Sequence, residues 1–291
     1  MLEVKHLSFS FPTKCVLNSV SFTVNDGIVL GLVGINGAGK TTLLRLLSGV
    51  YESQDGSILF DGNSPTDPDT RREIFFLPDD PYYSGGTTPE SLFELYSTLY
   101  PDTSREVFDS LIAKYNIDPR GSLRNFSKGM RRQVFIALAL AVRPKYLLLD
   151  EAFDGLDPLS KRIFRDAIGD YVRSTGATVL ISSHSLKELE SLCDSFILID
   201  DNTVRTESEL EDGGLHKYAL AFSEPVEREA FDSLPVVSIL IRARFVDVTL
   251  RGNPEELYAR LTALSPAVID ELPPDFEDTF ITDVKGGNPD A

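Results

Sequence analysis

The chain has 291 residues, 42% of them apolar and 25% charged, which suits a folded protein of one large domain or two modest ones and excludes a disordered or collagen-like chain. Its net charge of -17 excludes a nucleic-acid coating role and direct adsorption to anionic lipid, both of which need clustered Lys and Arg. Most of that acidity sits in residues 201–291, which marks the last third as a separate module.

Leu2–Lys5 and Ser19–Val24 alternate in polarity, as strands do. Asn25-Asp26-Gly27 is a turn, and Ile28–Val33 is the continuous apolar run of a buried strand. A glycine-rich loop leads into Thr42–Ser48, a helix closed by Gly49. Residues 51–77 return to strand and turn signals. Residues 87–142 are mainly helical, with apolar side chains at helical spacing in 89–99, 104–115 and 128–142. Strands resume at Tyr146–Leu149, Thr178–Ser182 and Phe196–Ile199, with helices over 159–174 and 185–193. The pattern predicts an open α/β sheet interrupted by a helical insertion.

The last third has its own rhythm. Lys217–Phe222, Val236–Ile241, Phe245–Leu250 and Ala267–Leu272 read as strands, and Pro225–Leu234 and Pro254–Leu264 as helices. That order, βαββαβ, predicts a small split α+β sandwich. The tail 286–290 reads as loose.

Cys15 and Cys193 stand far apart, without disulfide or zinc spacing, and read as thiols of a reducing compartment. The start carries no signal-peptide pattern, and Val134–Val142 falls far short of the roughly 20 residues that span a bilayer. Any membrane role therefore comes through a partner.

Gly34-Ile35-Asn36-Gly37-Ala38-Gly39-Lys40-Thr41 fits G-x-x-x-x-G-K-[ST] between a buried strand and a helix. Glycines let the backbone aim several N–H groups at one point, where the helix end adds positive charge. Lys40 supplies a full charge for phosphates, and the Thr41 hydroxyl suits Mg²⁺. The apolar strand Tyr146–Leu149 ends in Asp150 and Glu151, at the sheet edge where such folds bind ligands. Asp150 suits the metal and Glu151 the activation of a water.

With these pieces the sequence resembles the ATP-binding cassette ATPases, the nucleotide-binding subunits of ABC transporters. Phe126-Ser127-Lys128-Gly129-Met130, then Arg131-Arg132-Gln133, is similar to the family signature in its S-K-G-M form. Asp154-Gly155-Leu156-Asp157 is similar to the loop that follows the Walker B carboxylates, and His184 to the switch histidine. Phe11 sits where the family places an aromatic on adenine, although alternation points Phe9 to the same face and does not separate the two. The order holds over residues 1–205.

The resemblance implies a P-loop NTPase (RecA-like) core with antiparallel β and α-helical subdomains over 1–205, the helical part at about 79–143, and the separate rhythm of the last third gives a C-terminal accessory α+β domain over 206–291. It implies ATP and Mg²⁺ as cofactors. Glu151, His184 and Lys40 are the implied catalytic residues. Phe11, Asn36, Gly37, Ala38, Gly39, Lys40, Thr41 and Thr42 are implied to hold nucleotide, with Ser127 and Gly129 reaching the ATP of an opposite protomer. Thr41, Asp79 and Asp150 are the implied metal ligands. Asp79 is a departure, because the family normally has Gln there.

The implied partners are a separate transmembrane permease and a second cassette, identical or different, which places the chain in the cytoplasm on the inner face of the membrane. Pro81–Thr88 is the expected permease contact. The signature and the segment Pro274–Phe280 resemble bacterial exporter subunits more than importers. The alternative is a soluble cassette ATPase in translation or DNA repair, but the chain has one cassette, and the stretch from Asp79 to Ser127 is too short for a coiled coil and has no cysteines. A third reading is a regulatory or docking module built on the last third.

Overall fold

The apolar run around Leu30 becomes the middle of a six-stranded sheet. The computed structural model describes residues 1–206 and 214–273, in two units, Met1–Thr206 and Glu207–Ala291. In the first unit, β3 (Val29–Val33) lies between β7 (Thr178–Ser183) and β8 (Ser195–Asp200). Beyond β7 follow β6 (Tyr146–Leu149) and β5 (Ile74–Leu77), all parallel, and β9 (Thr203–Thr206) closes the other side antiparallel to β8. Every residue of β3, β6 and β7 is buried, which is why these strands read as unbroken apolar runs.

Because the strands are parallel, their C-terminal ends share one edge. Gly34 follows β3, Asp79 follows β5 after Pro78, Asp150 follows β6 and His184 follows β7. The topology thus gathers residues that the sequence scatters.

A second, antiparallel sheet has the order β2-β1-β4, from β1 (Leu2–Phe11), β2 (Lys14–Val24) and β4 (Asp55–Phe60). Val4 pairs with Phe22 on one side and Ile58 on the other. Its apolar face, with Leu2, Val4, Leu7 and Leu17, shares one core with Leu43, Leu44, Leu46 and Leu47 of α1 (Lys40–Leu47) and with Leu30, Leu148 and Leu180 of the parallel sheet.

Three helices fill the stretch between β5 and β6: α3 (Pro89–Leu99), α4 (Arg105–Lys114) and α5 (Lys128–Val142). Thr88 and Ser91 form a reciprocal capping box at the start of α3, with Pro89 in its first turn. From Arg132 to Val142, α5 is buried without interruption and ends at Arg143 in the left-handed conformation. α6 (Pro158–Thr175) is capped by Asp157 and closed by Gly176 at φ 68°.

The helix expected over 185–193 is a single turn, α7 (Leu186–Leu189). The chain must then bend into β8, and the Asp194 carboxylate pins that bend by accepting the Val29 N–H at 2.8 Å. The short α2 (Pro68–Arg72), capped by Asp67, and β9 were not legible in the periodicity, each having too few residues to show a period.

The second unit holds an antiparallel sheet in the order β11-β12-β10-β13, from β10 (Leu215–Ala221), β11 (Val236–Arg242), β12 (Phe245–Arg251) and β13 (Val268–Leu272). Tyr218, Leu220, Val246, Val248 and Leu250 meet Leu257 and Leu261 of α8 (Pro254–Ala263). The helix expected over 225–234 is only a 3-10 turn, Arg228–Phe231. Pro235 biases Leu234 away from the helical region, so the segment shortens while Phe231 and Leu234 stay buried. Pro274–Phe280 and the tail 286–290 lie outside the described residues.

Leu180, fully buried in β7, tests this core. Leu180→Ala lowers unfolding stability by about 2–5 kcal/mol, read as a shifted urea midpoint at unchanged slope. An unshifted midpoint contradicts the packing described.

Candidate functional site

The loop between β3 and α1 makes two left-handed bends, at Gly37 (φ 84°) and Gly39 (φ 115°). A Cβ on Gly39 would sit 2.9 Å from Val16 Cγ1, so strain and crowding both require glycine there. The loop lines a cleft of about 330 Å³ with Asn36, Gly37 and Gly39, and Lys40, Thr41 and Thr42 continue it into the helix. Phe11, Lys14 and Val16 of the β1–β2 hairpin face the same cleft, as does Glu151. Ala38 is the exception: its side chain packs on the core, and its N–H closes a turn on the Ile35 carbonyl at 3.1 Å.

The structure separates the two aromatics. Phe9 stacks on Tyr51 at 5.5 Å between ring centres and packs on the core. Phe11 meets Phe9 edge-on, is 42% exposed and lines the cleft.

Lys40 is almost fully buried. Its ammonium donates to the Gly34 carbonyl at 2.7 Å and the Ile35 carbonyl at 3.4 Å, and lies 3.5 Å from Glu151 Oε1. The other carboxylate oxygen of Glu151 accepts the His184 main-chain N–H at 3.3 Å and lies 3.0 Å from His184 Nδ1. Glu151 itself has φ 46°, a left-handed conformation that costs a non-glycine residue roughly 1–3 kcal/mol. That bend turns its carboxylate to lie between the lysine and the histidine.

Asp150 stands beside it, buried. Its Oδ2 accepts the Thr41 hydroxyl at 2.8 Å and its Oδ1 the Ser182 hydroxyl at 2.7 Å. Ser182 Oγ also accepts the Glu151 N–H at 2.9 Å, so one hydroxyl at the end of β7 holds both acidic residues. Thr41 and Asp150 are hard oxygen donors in contact. They fit an Mg²⁺ ion, which takes few protein ligands and completes its shell with phosphate and water.

Ser127, Gly129 and Asp79 lie elsewhere. Ser127 caps α5 by accepting the Met130 N–H at 3.1 Å. Gly129 packs so close to the next loop that a Cβ would meet the Gly155 carbonyl at 2.4 Å. Lys128 Nζ donates to Asp154, and that hydrogen bond holds the Asp154 carboxyl below its ordinary range.

Asp79, the third expected metal ligand, is engaged by another partner in this structure. Its carboxylate accepts from the Arg132 guanidinium and shares a cleft with Asp80, Tyr83, Lys128 and Arg131. A buried guanidinium demands an anion, and Asp79 supplies it.

Four residues escaped the sequence reading. Lys14 and Val16 follow Phe11 in the hairpin, and the Lys14 ammonium lies 3.4 Å from the Gly37 carbonyl. Ser182 gave the signal of a hydroxyl ending an apolar strand. Arg132 gave the signal of a charge opening a long apolar helix run.

The ABC transporter family matches over residues 17–154. The ABC transporter ATP-binding protein YtrB of Bacillus subtilis is 30% identical over 98% of this chain and 99% of its own length. The lipopolysaccharide export system ATP-binding protein LptB of Haemophilus influenzae is 36% identical, over 68% of this chain and 86% of its own. The solved structure of an ATP-binding subunit of an ABC transporter superposes with a TM-score of 0.65 at 29% identity, over 72% of this chain and 91% of that one.

Ser182→Ala leaves a buried carboxylate oxygen and an amide without their partner. The variant loses about 1–3 kcal/mol of stability in chemical denaturation, and a denaturation midpoint equal to wild type contradicts the double role given to this hydroxyl.

Proposed function

The chain belongs to the ATP-binding proteins of ABC transporters, and on that premise we propose that it powers export through a separate permease by ATP-driven, head-to-tail pairing of two cassettes. It is an ATPase and the ATP-binding subunit of a transporter. The observation that carries the pairing is a division of parts. Lys40, Thr41 and Glu151 line one cleft, and Asp150 and His184 are bonded to them, whereas Gly129 packs against Gly155 and neither it nor Ser127 lines that cleft. Ser127 opens a helix whose free N–H groups suit an anion. A second protomer's Ser127 turn completes the site.

In this reading the Phe11 ring stacks on the base, and main-chain N–H groups of the loop from Asn36 to Thr42 surround the phosphates. Lys40 exchanges the Gly34 carbonyl for phosphate oxygens. Thr41 and Asp150 hold Mg²⁺, which neutralises phosphate charge when bound. Glu151 orients and deprotonates the attacking water, and His184 fixes the Glu151 carboxylate and meets the γ-phosphate. Phosphoryl transfer asks for positioning and charge more than covalent chemistry, and this set supplies both.

Among the described residues no helix is long and apolar enough to cross a membrane. In this reading the permease is a separate partner, met on the inner face of the membrane. The segment Pro81–Thr88 suits that contact, since Tyr82 is 92% exposed and Tyr83 packs near Phe135 with Arg131 over its ring. The export direction follows the S-K-G-M signature and the likeness to LptB, a protein named for an export system.

Glu151→Gln removes the base and keeps the loop. The variant binds ATP, hydrolyses it about 100-fold or more slowly and elutes as a dimer in size exclusion with ATP. A strictly monomeric elution contradicts the pairing.

A further inference from the structure

Arg132 lies in the second turn of α5, with a side chain only 2% exposed. Its Nη1 donates to the Pro78 carbonyl at 3.1 Å and the Asp150 carbonyl at 3.4 Å. Its Nη2 donates to the Asp79 carbonyl at 2.6 Å and to the Asp79 carboxylate. One guanidinium thus ties the ends of β5 and β6 to the signature helix. The planar fork of arginine can serve these divergent acceptors at once, and a lysine ammonium cannot.

The network continues into the signature itself. Lys128 Nζ lies 4.0 Å from Asp79 Oδ1 and donates to Asp154. Gly129 seats against the Gly155 carbonyl. Asp79 therefore answers cations from the same helix that presents Ser127, and the carbonyl that Arg132 grips belongs to the residue bonded to Thr41. Glutamine at position 79 would leave the guanidinium without its counter-charge, which gives the departure from the family pattern a physical cause.

We propose that Asp79 and Arg132 are paired positioning residues for ATP hydrolysis: their ion pair fixes the Ser127–Gly129 turn relative to Asp150 and Glu151, and the Asp79 carboxylate serves Arg132, not the metal. The proposal rests on the reading that this turn completes a partner's nucleotide site.

The test is a double-mutant cycle with Asp79→Asn and Arg132→Lys. Asp79 is about half exposed and asparagine keeps an oxygen acceptor toward Arg132, so Asp79→Asn is the milder variant, and with a wild-type circular dichroism spectrum it carries the test even where Arg132→Lys does not fold. For Asp79→Asn, kcat falls about tenfold while KM for ATP stays within about twofold, because the P-loop is untouched. The Mg²⁺ concentration for half-maximal rate is unchanged. The double variant is no slower than Arg132→Lys alone. In the Glu151→Gln background, Asp79→Asn weakens ATP-driven dimerisation about tenfold in sedimentation.

A wild-type kcat for Asp79→Asn, losses that multiply in the double variant, or a raised Mg²⁺ requirement each overturn the proposal, the last by restoring Asp79 to the metal. Failure of Glu151→Gln itself to dimerise is a separate result that strikes the pairing of cassettes. The kcat cycle still reads the Asp79–Arg132 coupling.

Discussion

The buried ammonium of Lys40 is the constraint around which the rest is arranged. A cation out of water needs compensation, and here it comes from two loop carbonyls and the Glu151 carboxylate. Glu151 reaches that position only by taking a strained backbone conformation, which the Ser182 hydroxyl and His184 hold in place. The same hydroxyl fixes Asp150, and Asp150 fixes Thr41. Charge, strain and hydrogen bonding therefore form one connected set at the edge where the parallel strands end. A polyanion entering the cleft replaces weak partners of Lys40 with strong ones and finds the carboxylates already placed.

Much of this was legible in the sequence because its signals are local. The buried strands Val29–Val33, Tyr146–Leu149 and Thr178–Ser183 are covered on both faces and so read as apolar runs. The three helices between β5 and β6 carry full turns of periodic apolar side chains, and their bounds fall close to the expected ones. The P-loop announces itself because left-handed turns, with crowding at Gly39, favour glycine.

What was not legible depends on distant partners. The segment 185–193 has helical composition, yet the bond from Val29 to Asp194 bends the chain into β8. The segment 225–234 shortens before Pro235. Phe9 and Phe11 share a pattern, and only the fold distinguishes them: Tyr51, just beyond α1, touches both rings, but Phe9 stacks flat on it and packs on the core while Phe11 meets it edge-on and stays exposed. Asp79 looked like a metal ligand by its place in the chain, and only the fold reveals Arg132 beside it. A local pattern says which side chains are buried or turned, but a counter-ion from another element is a property of the fold.

In the proposed pairing each ATP is held by the Lys40 loop of one chain and the Ser127 turn of another. Mixing two dead variants measures this directly: Lys40→Ala, which spoils the loop, and Ser127→Arg, which spoils the turn. In a mixed dimer both defects fall on one site and the second site is intact. Neither variant hydrolyses ATP alone, and activity returns when the two are combined. A mixture as inactive as its components, with mixed dimers demonstrated to form, would contradict the pairing.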